Sequence, residues 1–178
     1  STELVKAWLD GDWNIVEGAF FDCWSSKMVH RPFIMPSENI TVASFDWGFA
    51  KPFSFGLWSI FVDDYITNEG VLLPRGYMLR FKEWYGVKYE AGDVKPDEGL
   101  RLSAEAVGAG IRERTKHLTI KNWVADPAVF KEDGGPSHAE RMGLPFRAAD
   151  NTRVGKLGYT GWDLLRSRMI GTRTYSPE

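Results

Sequence analysis

Cysteine is almost missing from this chain of 178 residues: Cys23 stands alone. One thiol excludes an internal disulfide framework and fits a reducing compartment. No uninterrupted apolar run approaches the ~18 residues of a membrane span. The opening Ser1-Thr2-Glu3-Leu4-Val5-Lys6 is not a signal peptide, and it lacks Met, as an excised piece of a longer chain would. A large excess of charge of one sign is missing too. With 22 basic and 24 acidic residues the net charge is -2, so no global basic field advertises nucleic acid, and any such contact must rest on a local patch. His30, His117 and His138 show no H-x-x-x-H spacing and read as surface or capping residues. There is no internal repeat and no low-complexity segment.

What remains is a globular composition, 43% apolar and 26% charged, long enough for one domain with a real core. Aromatics reach 14%, with 8 Trp. Most of these are expected to pack the core, and one is a candidate stacking platform for bases.

The most informative feature is a pair of aspartates, each just past a strand-like run. Asp46 ends Ile40-Thr41-Val42-Ala43-Ser44-Phe45-Asp46, and Asp126 ends Leu118-Thr119-Ile120-Lys121-Asn122-Trp123-Val124-Ala125-Asp126. Ile40, Val42, Ser44 and Asp46 share one face of the first strand; Thr41, Ala43 and Phe45 share the other. Both faces are mostly apolar or small, which predicts a central, covered strand. Phe53 to Val62 is the second strand. Tyr77 to Tyr85 is the third, with Tyr77, Leu79 and Phe81 on one face and Arg80 and Lys82 on the other. Asp63-Asp64 and Asn68-Glu69-Gly70 between them predict a hairpin with a long turn. Residues 86 to 99 carry Gly86, Gly92, Pro96 and Gly99 and read as loop.

Ser103 is positioned to cap a helix, with Glu105 in its first turn. Ala104, Val107 and Ile111 form its apolar face. Gly108 and Gly110 weaken it, and close packing on a sheet is the expected compensation. After the Asp126 strand come a Gly-Pro loop, a helical turn near Ser137 to Met142, a fifth strand within Leu144 to Ala149, and a last helix from Tyr159 to Ile170. A short helix, Leu4 to Leu9, is read near the start. A right-handed helical crossover makes the Asp126 strand parallel to one already in the sheet. With the Asp46 strand as its neighbour, about 4.8 Å away, both carboxylates reach the carboxyl end of the sheet, where open α/β sheets bind ligands. Like charges held close favour a divalent cation between them.

This order resembles the ribonuclease H-like fold, an α/β mixed sheet of about five strands with strands 1-2-3 antiparallel, 4 and 5 parallel, and flanking helices. Local motifs are more specific. Ala7-Trp8-Leu9-Asp10-Gly11-Asp12-Trp13-Asn14-Ile15-Val16-Glu17-Gly18-Ala19-Phe20-Phe21 resembles the segment that leads into the nuclease domain of the large terminase subunit of tailed bacteriophages. Phe45-Asp46-Trp47-Gly48-Phe49-Ala50-Lys51-Pro52-Phe53 resembles its first catalytic strand, and Val124-Ala125-Asp126-Pro127 its second acidic motif. Asn151-Thr152-Arg153-Val154-Gly155 and Gly161-Trp162-Asp163-Leu164-Leu165 resemble the stretch that follows.

The resemblance implies a lead-in segment over residues 1–39 and a nuclease domain over 40–178. It implies an endonuclease that cuts concatemeric double-stranded viral DNA, with weak sequence specificity, by two-metal hydrolysis. Its cofactor would be Mg2+ or Mn2+, as a pair of ions. Asp46 and Asp126 match the first two of the family's three acids. Asp133, Asp150 and Asp163 lack the context of the third, which is expected beyond Glu178. Glu105 and Asp163 are the local candidates for a further carboxylate, against default roles as a helix-dipole charge and a solvated helix face. Lys51, Arg147, Arg153 and Lys156 are the DNA-contact candidates. The best basic patch is Arg147, Arg153, Lys156, Arg166, Arg168 and Arg173. Arg80 and Lys82 are further phosphate candidates on what otherwise reads as a solvated strand face. Gly155-Lys156-Leu157 lacks the hydroxyl residue and preceding glycine of a phosphate-binding loop, so the family's ATPase half is not expected here. Implied partners are viral DNA, the terminase ATPase domain, the small subunit and the portal or procapsid, without a membrane, in the cytoplasm of the bacterial host.

Two alternatives stay open. One is a non-catalytic module that docks DNA or a portal. The other is a carbohydrate-active domain using Asp46 and Asp126 as acid and base, which suits the tryptophans but lacks a barrel or sandwich pattern.

Overall fold

The computed structural model describes residues 20–150 and 160–171. Contacts divide the chain into one unit of Ile34–Asn151 and a second of Ser1–Phe33 with Thr152–Glu178. The expected helix Leu4 to Leu9 lies outside the described residues.

The larger unit is built on a five-stranded mixed sheet. Its strands are β1 (Ile40–Asp46), β2 (Ser54–Ile60), β5 (Met78–Tyr85), β8 (Asn122–Ala125) and β9 (Arg147–Ala148), in the spatial order β5-β2-β1-β8-β9. β1 runs antiparallel to β2, which runs antiparallel to β5. β8 is parallel to β1, and β9 is parallel to β8. The alternation along β1 becomes two faces. Ala43 and Phe45 are buried on one, while Val42 and Ser44 on the other are half-buried and Asp46 is exposed.

Helices α1 (Ala104–Thr115) and α2 (His138–Met142) supply the core side. Val107, Ile111 and Met142 cluster with Ala43, Phe45, Phe55, Leu57 and Ala125. Burying each large apolar side chain there stabilises the fold by about 1.5–3 kcal/mol. Ser103 caps α1, its Oγ accepting from the Ala106 N–H at 3.3 Å. α2 begins with a reciprocal capping box between Ser137 and Glu140 and ends at Gly143 in the left-handed region, φ 61°.

The structure corrects three expectations. Residues 86–99 are not loop: β6 (Val87–Glu90) and β7 (Asp93–Gly99) pair as a hairpin. Its turn is Ala91-Gly92, with φ 53° and 89°. The strands are charged and carry Pro96, which an isolated two-stranded ribbon tolerates and a central strand does not. Second, Gly108 packs on a helix rather than the sheet. A Cβ there would collide with the backbone of Met142, whereas one at Gly110 would strike the Trp84 ring on β5. Third, Arg80 and Lys82 do not share a face. Leu57 pairs with Lys82 and Trp58 with Arg80, so Phe81 is an extra residue bulged out of the register. Lys82 reaches the helix side, donating to the Arg114 carbonyl at 3.1 Å. Arg80 goes to the other side. The long turn between β2 and β5 also carries a small hairpin, β3 (Tyr65–Ile66) with β4 (Leu72–Leu73).

In the second unit, helix α3 (Gly161–Met169) is capped by Thr160. The rings of Phe20, Phe21 and Trp162 gather within 5.1–5.6 Å of one another. Arg166 ties this together, donating to the Phe20 carbonyl at 3.0 Å and to Asp22 at 2.7 Å.

Candidate functional site

The parallel pairing of β1 and β8 decides where the aspartates go. Ser44 pairs with Val124 and Phe45 with Ala125, so Asp46 and Asp126 come next, side by side at the same end of the sheet. The Asp126 N–H donates to the Phe45 carbonyl at 3.0 Å, extending the ladder one residue beyond the strand. Across β1, Asp46 pairs with Ser54 of β2. The two aspartates, Ser44, Ser54, Val124 and Ala149 line a cavity of about 190 Å³.

The electrostatics of the pair are asymmetric. The Asp46 carboxyl is raised above its ordinary value, first by desolvation and second by the charge of Asp126; a hydrogen bond to the Trp47 backbone partly opposes this. Asp126 also forms the Asp-Pro turn that its sequence allows. One carboxylate oxygen accepts from the Ala128 N–H at 2.7 Å and caps the 3-10 turn Pro127–Phe130. The other oxygen keeps its acceptor capacity. Two hard oxygen donors, one disfavoured as a free anion, are a donor set suited to a divalent cation. Among the described residues no group of three His, Cys, Asp or Glu side chains is arranged to hold a metal.

Glu105 is not part of this cavity. It starts α1 as a helix-dipole charge and is taken by Arg141 of α2, whose Nε and Nη2 donate at 2.8 and 3.2 Å. Those hydrogen bonds hold its carboxyl down to about 2. Asp163 caps α3: its carboxylate accepts from the Thr160 N–H at 2.9 Å and from the Thr160 hydroxyl at 2.7 Å.

Of the DNA-contact candidates, Arg147 is opposite Val124 on β9, exposed and on the same sheet face as the aspartates. Lys51 is exposed and pairs with Asp97 of β7 at 3.3 Å. Arg153 and Lys156 lie outside the described residues, as does Arg173 of the basic patch.

Two features of the site carry no sequence signal, and a third, Arg80, is legible as a phosphate candidate but not in its placement. Ser44 shares the Asp46 face along β1, but Ser54 needs the β1–β2 register. Arg80 stands opposite Trp58, and the bulge separates it from Lys82. His138, expected at the surface, stacks on Trp47 with ring centroids 4.2 Å apart, and its Nδ1 is buried with no hydrogen-bond partner. No sequence signal marks that contact, because Trp47 and His138 meet only through the packing of α2 against the end of β1.

No protein-family model matches the chain, and no curated protein does either. Solved structures do. The large terminase of a thermophilic bacteriophage is 14% identical with a TM-score of 0.51, over 85% of this chain and 32% of that one. The nuclease domain of the bacteriophage P22 large terminase is 13% identical with a TM-score of 0.47, over 88% of this chain and 70% of that domain. The chain thus spans about a third of the thermophilic phage protein's length. At 14% identity the likeness to that protein establishes the fold. That fold is the mixed, ribonuclease H-like sheet with helices that the order of elements predicts.

Proposed function

We propose that the chain is a metal-dependent endonuclease domain of a phage DNA-packaging terminase, cutting double-stranded DNA with weak sequence specificity. The observation that carries this is the pairing of β1 with β8, which brings two carboxylates to one cavity at the carboxyl end of a ribonuclease H-like sheet. The fold shared with the thermophilic phage terminase supports it. Asp46 and Asp126 would hold Mg2+ or Mn2+, and a second ion would require negative charge beyond these two. When bound, such ions supply Lewis acidity at a phosphoryl oxygen and offset the charge that develops there.

The chain's own residues do the rest. Partial desolvation and the neighbouring Asp126 raise the Asp46 carboxyl and favour a cationic partner. The turn at Pro127 fixes the Asp126 rotamer through its cap. Ser44 and Ser54 offer hydroxyls on the cavity wall. Contacts of this kind address the DNA backbone, which carries no direct sequence information. The working protein would join an ATPase domain, a small subunit and a portal, in the host cytoplasm; among the described residues no helix is long and apolar enough to cross a membrane.

The test is a thermal shift. Millimolar Mn2+ should raise the Tm of the chain, since binding the native state alone stabilises it by mass action. Asp46→Asn should abolish the rise and any Mn2+-dependent plasmid nicking. An equal rise in the variant would put the metal elsewhere. A second reading, a non-catalytic DNA- or portal-docking module, is favoured by the missing third acid among the described residues. It predicts DNA retention with no nicking at any Mn2+ concentration.

A further inference from the structure

The sheet face that carries the aspartates does not end at their cavity. It continues across β2 to β5 as a connected set of polar groups. Ser44, on the cavity wall, accepts from Trp58 Nε1 at 2.8 Å. The Arg80 guanidinium lies over the Trp58 ring, 5.6 Å from its centroid. Arg80 Nη2 is 3.5 Å from the hydroxyl of Ser54, the other serine of the cavity wall. Beneath them is Gly56. A Cβ there would meet Ser44 Oγ at 3.1 Å, Trp58 Nε1 at 3.1 Å and Arg80 Nε at 3.2 Å. A side chain at position 56 would fill the space on which these groups converge.

In a regular strand Arg80 would share a face with Lys82. The extra residue Phe81 shifts the register so that Arg80, Glu83 and Tyr85 all face the aspartate side. Bulges re-aim side chains next to active sites, and this one separates Arg80 from Lys82 and puts Glu83 on its face. The guanidinium retains exposure, with 37% of the side chain accessible. Its present partner is Glu83, at 2.8 Å. An exposed carboxylate of this kind is a weak partner that a phosphate can displace. Two strand spacings, about 10 Å, separate β5 from the aspartate strand. That is far enough for Arg80 to address a different phosphate from the one at the aspartates.

From this we infer that Arg80, stacked on Trp58 and flanked by Ser54, forms a phosphate subsite that grips the DNA backbone beside the aspartate cavity. Glu83 holds the arginine in place until DNA arrives. The inference rests on the nuclease reading. A planar fork pre-oriented on an aromatic ring suits a phosphodiester, because two donors are held in one plane at little entropic cost.

The experiment is the binding of a short fluorescein-labelled DNA duplex to the full chain in metal-free buffer over a KCl series. Arg80→Ala should weaken binding about tenfold, the loss of one charge-assisted contact. It should also lower the slope of log affinity against log salt by about 0.9, one phosphate contact. Glu83→Gln should act in the opposite direction and tighten binding at every salt concentration. Lys82→Ala, on the other face, should leave both affinity and slope unchanged. Should Arg80→Ala fail to fold, Glu83→Gln decides: tighter binding supports the subsite and unchanged binding overturns it. A parent chain that binds and nicks DNA while Arg80→Ala keeps its affinity and slope removes the subsite and leaves the nuclease reading standing. A parent chain that neither binds nor nicks removes both.

Discussion

The two faces of the five-stranded sheet are made by the same residues taken alternately, yet they are built to opposite ends. On the helix side, Ala43, Phe45, Phe55, Leu57 and Ala125 are buried against α1 and α2 with no titratable group among them. On the other side the same strands present Ser44, Asp46, Ser54, Gly56, Trp58, Arg80 and Asp126. One face stabilises the fold through dispersion and dehydration. The other holds like charges side by side, which costs stability in the free protein and creates affinity for a cation. The difference shows that a sheet can separate the two tasks by the parity of residue position alone.

The sharpest way to break this comparison is on the core face. Phe55→Ala should cost about 3–5 kcal/mol in denaturant unfolding, the transfer of the ring plus the cavity it leaves. A loss below about 1 kcal/mol would mean that the core is not centred on this face. Next in size is Gly108→Ala. Its new methyl meets the Met142 backbone, which has no rotamer to escape into, so overpacking should cost about 1–3 kcal/mol. Gly56→Ala, on the aspartate face, meets side-chain atoms at 3.1–3.2 Å that can give, so its loss should be the smaller of the two.

A substitution on the functional face should have the opposite sign. The Asp46 carboxyl is raised, so folding favours its protonated form. That contribution is present below the unfolded carboxylate range and lost as pH rises through the raised folded value. Asp46→Asn should therefore raise Tm at neutral pH without metal, and the gain should vanish on acidification. A lower Tm for Asp46→Asn at neutral pH would show that Asp46 is not electrostatically frustrated.

The smallest effect belongs to the helix layer. Arg141 lowers the Glu105 carboxyl to about 2, so its contribution is present above the ordinary glutamate range and lost as pH falls towards 2. Glu105→Gln should lower Tm slightly at neutral pH, less so at high salt because the pair is exposed. A variant whose deficit persists unchanged at about pH 2 would have lost packing rather than an ion pair.

Much of the fold could be read directly because it is written in local chemistry. The period-2 run from Ile40 to Asp46, the cap at Ser103 and the helical turn near Ser137 to Met142 each rest on residues close in sequence. The hairpin at 86–99 is hidden because the alternation Val87-Lys88-Tyr89-Glu90 is only four residues long and sits among Gly86, Gly92, Pro96 and Gly99, which read as loop. Of the candidate site, Asp46 and Asp126 were found from strand ends and the crossover rule. Glu105 could be proposed as a third acid, but its pairing with Arg141 could not be read, since Arg141 lies 36 residues away in sequence.

The sequence alone determined the order of the strands and helices of the five-stranded unit, the apolar stripe of α1 and the two strand-end aspartates, since propensity, capping and periodicity are properties of neighbouring residues. The tertiary structure alone decided what stands next to what. Register placed Ser54 beside Asp46, one bulged residue sent Arg80 and Lys82 to opposite faces, and helix packing set His138 on Trp47. These depend on how distant strands and helices align, and a shift of one residue in a sheet reverses every side chain beyond it.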